Sequence, residues 1–326
     1  MSRKLAPQDF SSGNKETPGS FNLKEITYQP LSEDNLQQVY DLFRRNEKFY
    51  QIPLDYFKQG TLQDEPFDPD MTLILNSPET NRPIAAFIAV IVKGWVRKNC
   101  YLKACVVDEP YRRQGIGSKM LFDLMRRGRH KLHWYSSIRY GDSCPNYWMP
   151  GVDLRHTSLL FFLKKNGFVK KRMRTNLTCS LENITQEPES SRSGCRFERA
   201  KPKEINALVQ FVKRNFRFGF WSREVTLSFQ NNPPTTFIAK DKSGTIVGWA
   251  SHSISFPGSF GPTGVTKSLR GRGLGSELLK WCLWDMKKTG QETATIRWVE
   301  GDTVKFYSKV LGAYASPVFY PMSRLI

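Results

Sequence analysis

Apolar and polar positions along the chain alternate between two regimes, and the alternation occurs twice. In residues 22–182, "NLKEITYQP" has a strand-like pattern, and "SEDNLQQVYDLFRRN" then places Leu36, Val39, Tyr40, Leu42 and Phe43 at helical spacing behind Ser32 and Glu33. The runs "MTLILN", "PIAAFIAVIVKGW" and "NCYLKACVVD" predict strands. A helix follows over 116–127, then a strand at "KLHWYSSI" and a helix at "HTSLLFFLKKNG", which Gly167 closes.

The second half repeats the order. "CRFERA" predicts a strand and "KPKEINALVQFVKRNF" a helix, followed by strands at "TTFIAK", "TIVGWASHSIS" and "SFGPTGV". A long helix spans 274–289, then come the strand "TATIRWV", the helix "TVKFYSKVLG" and closing strands to "FYPMSRLI". Pro262 inside "SFGPTGV" predicts a bulge or an edge, because proline donates no ladder hydrogen bond. The polar stretch "NITQEPESSRSG" reads as a linker. The expected organisation is a mobile tail at 1–20, a first domain at 21–182, a linker at 183–194 and a second domain at 195–326.

One segment carries the repeat most clearly. "VVDEPYRRQGIGSKML" (106–121) aligns with "GVTKSLRGRGLGSELL" (264–279), matching Val107 with Val265, Arg112 with Arg270, Gly115 with Gly273, Gly117 with Gly275 and Ser118 with Ser276. Each copy lies between a strand and a helix. Glycines there permit a tight turn, and the first helical amides point outward with the positive end of the helix dipole behind them. Such a corner suits a phosphate, and the arginines add charged donors for a pyrophosphate. Neither copy ends in the GK[ST] of a nucleotide-triphosphate loop, and neither has the third glycine and downstream acid of a dinucleotide fingerprint.

Composition narrows the class. The 326 residues are 39% hydrophobic and 24% charged, ordinary for globular domains, and no apolar run is long enough for a membrane span. The start "MSRKLAPQDF" lacks the apolar core of a signal peptide, so a cytoplasmic protein is expected. The six cysteines show no spacing that suits zinc and read as idle thiols, and no metal is expected. A net charge of +19, spread over both halves, attracts anions.

The arginine, the paired glycines and the strand–turn–helix context, present twice, resemble motif A of the GNAT superfamily of N-acetyltransferases. With the element order, the resemblance covers most of residues 21–326 and has the two-domain architecture of mycothiol synthase. It implies an α/β (α+β) fold of two tandem GNAT domains, each a mixed, mostly antiparallel sheet flanked by helices. It also implies acetyl-coenzyme A as cosubstrate. The diphosphate would be held by Arg112, Arg113, Gln114, Gly115, Ile116, Gly117 and Ser118 in the first copy, and by Arg270, Gly271, Arg272, Gly273, Leu274, Gly275 and Ser276 in the second. The pantetheine arm would lie along the strands ending at Val107 and Val265.

The implied reaction is direct attack of an amine on the thioester. A backbone amide steadies the oxyanion, a base takes the ammonium proton, and a helix tyrosine protonates the thiolate. Tyr307 stands at the tyrosine position of the second copy, whereas Leu163 falls there in the first. The second domain is therefore the expected catalytic unit, and the first is left either to bind coenzyme A alone or to use another group. Glu300 and Asp302, after the splayed strand, are the candidate bases, and Asp302 could instead cap the following helix. Asp108 and Glu109 read as turn residues before Pro110.

In the long aromatic loop at 140–157, which would shape a pocket or cover the neighbouring domain, Asp153 and Arg155 are expected to pair with each other. The aromatic cluster at 215–224 suits a packed interface. The acceptor is an amine on a small molecule or a peptide, and a monomer with an internal pseudo-dimer is expected. Two rival readings remain: an aminoacyl-tRNA-dependent aminoacyl transferase, which the basic charge would serve, and a non-catalytic protein that binds acetyl-coenzyme A or nucleic acid.

Overall fold

The structure is a computed structural model that describes residues 23, 25–93, 98–132, 136–216 and 219–326. The tail at 1–20 lies outside the described residues. In the first half the elements run α1 (Leu36–Asn46), α2 (Leu54–Gln59), β1 (Thr72–Asn76), β2 (Pro83–Lys93), β3 (Lys98–Val107), α3 (Ile116–Lys131), β4 (Ser137–Tyr140), β5 (Val152–Asp153), α4 (Thr157–Lys165), β6 (Val169–Lys170) and β7 (Arg174–Ser180). The second half continues with β8 (Ser191–Arg192), β9 (Cys195–Arg199), α5 (Ile205–Asn215), α6 (Trp221–Ser228), β10 (Thr236–Lys240), β11 (Ile246–His252), β12 (Ser259–Val265), α7 (Leu274–Lys288), β13 (Thr293–Val299), α8 (Asp302–Leu311), β14 (Tyr314–Tyr320) and β15 (Met322–Leu325). Among the described residues no helix is long and apolar enough to cross a membrane.

Helix α1 buries the five apolar residues its spacing assigned to one face. Several elements differ from the sequence pattern. Among the described residues, the strand expected at 22–30 is reduced to one bridge, Gln29 to Ile74. Helix α3 continues to Lys131, so β4 starts only at Ser137. Gly128 costs a helix only about 1 kcal/mol, too little to stop it while Met120, Leu121, Leu124 and Met125 gain burial beneath it. The short helices α2 and α6 span too few residues for a helical period to show.

The strands form a six-stranded sheet, β1-β2-β3-β4-β15-β6, and a nine-stranded sheet, β5-β14-β7-β13-β12-β11-β10-β9-β8. All neighbours are antiparallel except β3 with β4 and β12 with β13. In each unit one pair of helices covers one face and a second pair covers the other. Helices α3 and α4 pack beneath Leu73, Phe87 and Leu102, with α1 and α2 on the Ile74, Ala86 and Ile88 side. In the second unit α7 and α8 share a core with Phe237, Ala250 and Phe260, while α5 and α6 pack on Ile238 and Trp249.

The order of strands corrects the expected domain boundaries. Strand β7 lies within 21–182, yet it sits inside the second sheet between β13 and β14. Strand β15 lies within 195–326, yet it sits inside the first sheet, with Met322 opposite Tyr140 on one side and Lys170 on the other. The two units thus exchange their last strands. Each exchanged strand is central, so its hydrogen bonds run to both neighbours. Residues 191–192 of the expected linker are strand β8, which hairpins onto β9.

The exchange is reinforced by packing. Phe319 of β14 is fully buried in the core built by α1 and α2, a burial worth roughly 1.5–3 kcal/mol. The loop at 140–151 in turn covers the second unit, with the Tyr147 ring set edge-on to Trp298 at 5.5 Å.

Candidate functional site

The two corners have one geometry. Gly115 and Gly273 cap α3 and α7 in the left-handed region, at φ +83° and +82°. Two positions earlier, Arg113 (φ +66°) and Gly271 (φ +78°) are left-handed as well. Arg112 folds back so that its Nε donates to Val107 O at 2.8 Å, and Arg270 Nε donates to Val265 O at 3.2 Å. The motif arginine therefore staples the corner to the end of its strand, and Arg112 Nη2 also donates to Asn46 Oδ1 at 2.6 Å. Ile116 and Leu274, each 1% exposed, anchor the helix starts in the core. The first backbone bond of α3 runs from Lys119 N to Gly115 O, which leaves the amides of Ile116, Gly117 and Ser118 without an intrahelical acceptor. These free donors, the dipole and the guanidinium groups suit a diphosphate.

A second repeated contact was not read from the sequence. Asn46, last in α1, donates through Nδ2 to Asp108 Oδ1 at 2.9 Å, while Asn215, last in α5, accepts from Thr266 Oγ1 at 3.2 Å. The helix endings "RRN" and "KRN" were the signal. Asp108 also takes Arg45 and caps the turn at Glu109, which agrees with its reading as a turn residue.

Each corner stands at the far end of a slot. Strand β3 pairs with β4 only at Cys100, Tyr101 and Leu102, and β12 pairs with β13 only at Ser259 and Phe260. Beyond those residues each pair splays. The register of β12 on β11 shifts between Ala250 and His252, and Pro262 occupies that bulge, where its missing N–H interrupts no ladder bond. The departing strands also match: Asp142 after β4 and Trp298 in β13 have φ +43° and +51°. Trp298 N donates to Asn176 Oδ1 at 2.9 Å. From Phe260 to Val265 the strand spans roughly 16 Å at about 3.3 Å per residue. That is the order of separation between the thioester and the diphosphate of coenzyme A.

Tyr307 is 5% exposed, the one buried residue of α8, and meets the Phe260 ring edge-on at 6.0 Å where β12 leaves β13. Burial raises its phenol above the ordinary value, so the hydroxyl keeps its proton. Leu163 is fully buried in the first core, and neither it nor its neighbour Phe162 carries a proton to give. Counted from the helix starts at His156 and Gly301, Phe162 rather than Leu163 corresponds to Tyr307. A Cβ on Gly117 would meet the Phe162 ring at 3.2 Å, whereas one on Gly275 would meet only Val265, at 3.9 Å. The first slot is thus narrowed beside its corner and the second is not.

Neither candidate base stands beside Tyr307's hydroxyl in a proton-transfer arrangement. Glu300 Oε1 lies 2.5 Å from Arg174 Nη1. Asp302 is exposed in the first turn of α8, and the cap it was expected to form belongs to Gly301. A stronger acid–base element appears on the opposite face. Glu224 of α6 and Arg297 of β13, both 3% exposed, pair at 3.2 Å. Arg297 also donates to Ser255 Oγ and lies under the Tyr147 ring at 4.6 Å. Burial, opposed by Arg297, pushes the Glu224 carboxyl up to about 7. The aromatic cluster around Glu224, expected at a domain interface, instead packs within the second unit: Phe216 and Trp221 pack on Trp249, and Phe220 stacks on Trp298.

The other residues named from the sequence have local partners. Gln114 Nε2 reaches Pro110 O at 3.3 Å and Ser118 Oγ receives Asn166 Nδ2 at 3.4 Å. Ser276 N donates to Gly273 O, and Arg272 O accepts from Ser193 Oγ. Arg155 and Asp153 pair at 2.7 Å. A groove of about 1100 Å³ runs beside the second corner from Ser268 and Leu269 toward Lys242 and Arg214, on the α5 side.

Comparison with known proteins accords with this geometry. The acetyltransferase (GNAT) family matches residues 36–139 and 205–313. A fungal multi-domain GH3 β-N-acetylglucosaminidase with a GCN5-related glucosamine N-acetyltransferase region superposes with a TM-score of 0.71 at 18% identity, over 92% of this chain. This chain spans 38% of that protein's length. A tandem GNAT protein from the clavulanic acid biosynthesis pathway gives 0.65 at 16% identity, covering 92% of this chain and 98% of its own. Saccharomyces cerevisiae N-myristoyltransferase with bound myristoyl-CoA gives 0.61 at 11% identity, covering 97% and 90%. Identities this low speak of fold alone. No curated protein matches the chain in sequence. With both halves matched, the chain belongs to the acetyltransferase (GNAT) family and carries two of its domains in tandem.

Proposed function

We propose that the chain transfers an acetyl group from acetyl-coenzyme A to a primary amine by direct attack, and that the second unit performs the transfer. The observation that carries this reading is the placement of Tyr307 on Phe260, at one end of a splayed strand whose other end is the Gly273 corner. The corner's amides and Arg270 bind the diphosphate, and the slot orients the arm so that the thioester reaches Phe260. The amine attacks the carbonyl, the carbon–sulfur bond breaks, and Tyr307 gives its proton to the departing sulfur. Tyr307 suits that step because burial keeps it protonated. Glu300 and Asp302 remain the proposed bases for the ammonium proton, the former restrained by Arg174. In the first unit, Phe162 beside Gly117, standing where Tyr307 stands in the second and carrying no proton to give, favours a role without transfer.

The test is a screen of amine acceptors that follows thiol release with acetyl-CoA and, in parallel, with myristoyl-CoA. Wild type, Arg112→Ala and Arg270→Ala are compared. Acetyl-CoA is expected to support turnover that Arg270→Ala suppresses and Arg112→Ala spares. Turnover with myristoyl-CoA alone, or suppression by Arg112→Ala alone, rejects the proposal.

A further inference from the structure

The second corner carries a cation that lies outside the repeated motif. Arg192 belongs to the hairpin between β8 and β9, whose two-residue turn, Ser193 and Gly194, has φ +52° and +76°. Paired left-handed residues fix such a turn tightly. Ser193 Oγ donates to Arg272 O at 3.1 Å, which pins the hairpin to the corner. A Cβ on Gly273 would stand 2.9 Å from Arg192 Nε and 3.2 Å from Nη2, so the absence of a side chain there lets the guanidinium lie against the turn.

The opposite edge of the guanidinium is engaged. Arg192 Nη1 lies 2.6 Å from Oε1 of Glu277, a carboxylate 1% exposed in the first turn of α7. Lys280 Nζ reaches the same oxygen at 2.9 Å, and Oε2 is buried without a hydrogen-bond partner. A buried carboxylate in that turn opposes an anion, and the two cations neutralise it. The first corner differs at both positions. Lys119 occupies the place of Glu277, and a Cβ on Gly115 would meet Leu23 Cδ1 at 2.9 Å instead of a guanidinium.

We propose that Arg192 is a diphosphate ligand of the second corner: Nη1 rests on Glu277 while Nε and Nη2 donate to the coenzyme's phosphate oxygens. Guanidinium geometry suits this, since its planar fork serves two acceptors at once. The hairpin between the two units thereby becomes part of one unit's coenzyme site and not of the other's. The inference rests on the reading that the second corner binds acetyl-coenzyme A.

Acetyl-CoA is titrated by calorimetry into wild type, Arg192→Gln, Glu277→Gln and the double variant; Gly273→Glu identifies which binding class belongs to the second corner. Turnover with S-acetylpantetheine, which lacks the diphosphate, is measured in parallel. Arg192→Gln is expected to weaken that class about tenfold or more, to stay weak when Glu277→Gln is added, and to leave the KM for S-acetylpantetheine unchanged. Unchanged affinity in Arg192→Gln overturns the proposal. Full recovery in the double variant also overturns it, because Arg192 would then act only by neutralising Glu277. An equal loss toward S-acetylpantetheine overturns it too. If wild type itself shows no binding class that Gly273→Glu removes, the underlying reading of the corner fails instead.

Discussion

The Tyr307 ring meets Phe260 edge to face, with centroids 6.0 Å apart and planes at 76°. Their contact joins α8 to the last residue of β12 that still pairs with β13. Replacing Tyr307 by phenylalanine keeps that packing and removes the hydroxyl. Turnover measured by thiol release should fall by about 10²-fold or more, with the affinity for acetyl-CoA unchanged. Full activity in Tyr307→Phe would remove the tyrosine from the mechanism.

Gly115→Ala and Gly273→Ala place a Cβ in the same left-handed conformation, at φ +83° and +82°. Each should lose about 1–2 kcal/mol of stability from backbone strain. Their effects on binding should differ, because the new methyl group displaces Leu23 in one case and Arg192 in the other. Calorimetry should show weaker acetyl-CoA binding for Gly273→Ala and a smaller change for Gly115→Ala.

Arg324 lies in β15 opposite Ile138 of β4. Arg324→Pro puts a residue with no N–H into the ladder with β4, inside a strand that the sheet holds on both sides, and should lower stability. Hydrogen exchange should accelerate first at 137–140 and 169–170, remote in sequence from the substitution. If the accelerated amides lie only in the second sheet, the strand assignment is wrong.

His252, 1% exposed, shares Asp285 with Arg199, its Nε2 lying 2.9 Å from Asp285 Oδ2. Burial lowers the imidazole's pKa, since Arg199 already balances the carboxylate and a second cation gains little there. The unfolded chain therefore takes up a proton that the folded chain refuses. Stability should be complete above the ordinary histidine range near pH 6.5 and should decline as pH falls below it. Glu224, raised to about 7, adds stability as pH falls through the same range, so the histidine is read from a difference: between pH 7.5 and 5 the denaturant midpoint of wild type should fall relative to that of His252→Gln.

Glu224→Ala leaves Arg297 buried without its carboxylate, and breaking such a pair costs about 3–5 kcal/mol. The double change Glu224→Ala with Arg297→Met should recover much of that loss in chemical denaturation. Two independent losses that simply add would show that the two residues are not coupled.

Much of this molecule was legible in its sequence because the coenzyme corner needs backbone that only certain residues supply. Gly115 and Gly273 had to be glycine, and both copies kept them in the same strand-to-helix context. Val107 and Val265 were legible as strand ends for the same reason. The destination of β7 and β15 was not legible: alternating apolar residues mark a strand but do not say which sheet receives it. Glu224 and Arg297 lie 73 positions apart and meet only through tertiary packing. The tyrosine register was ambiguous because α4 and α8 close differently, at Gly167 after a capping asparagine and directly at Gly312. Arg192 was hidden inside a stretch whose composition said only linker.

Reciprocal placement of β7 and β15 also bears on how the molecule comes into being on the ribosome. The first sheet has a gap between β4 and β6 that only residues 322–325 fill, so that half must wait, incomplete, until the whole second unit has been made. Strand β7 emerges early and is likewise left unpaired until β13 and β14 are made. The two halves thus complete each other together, and release of the nascent polypeptide before β15 is made would leave an open groove in the earlier-made half, where a neighbouring molecule's β15 could insert.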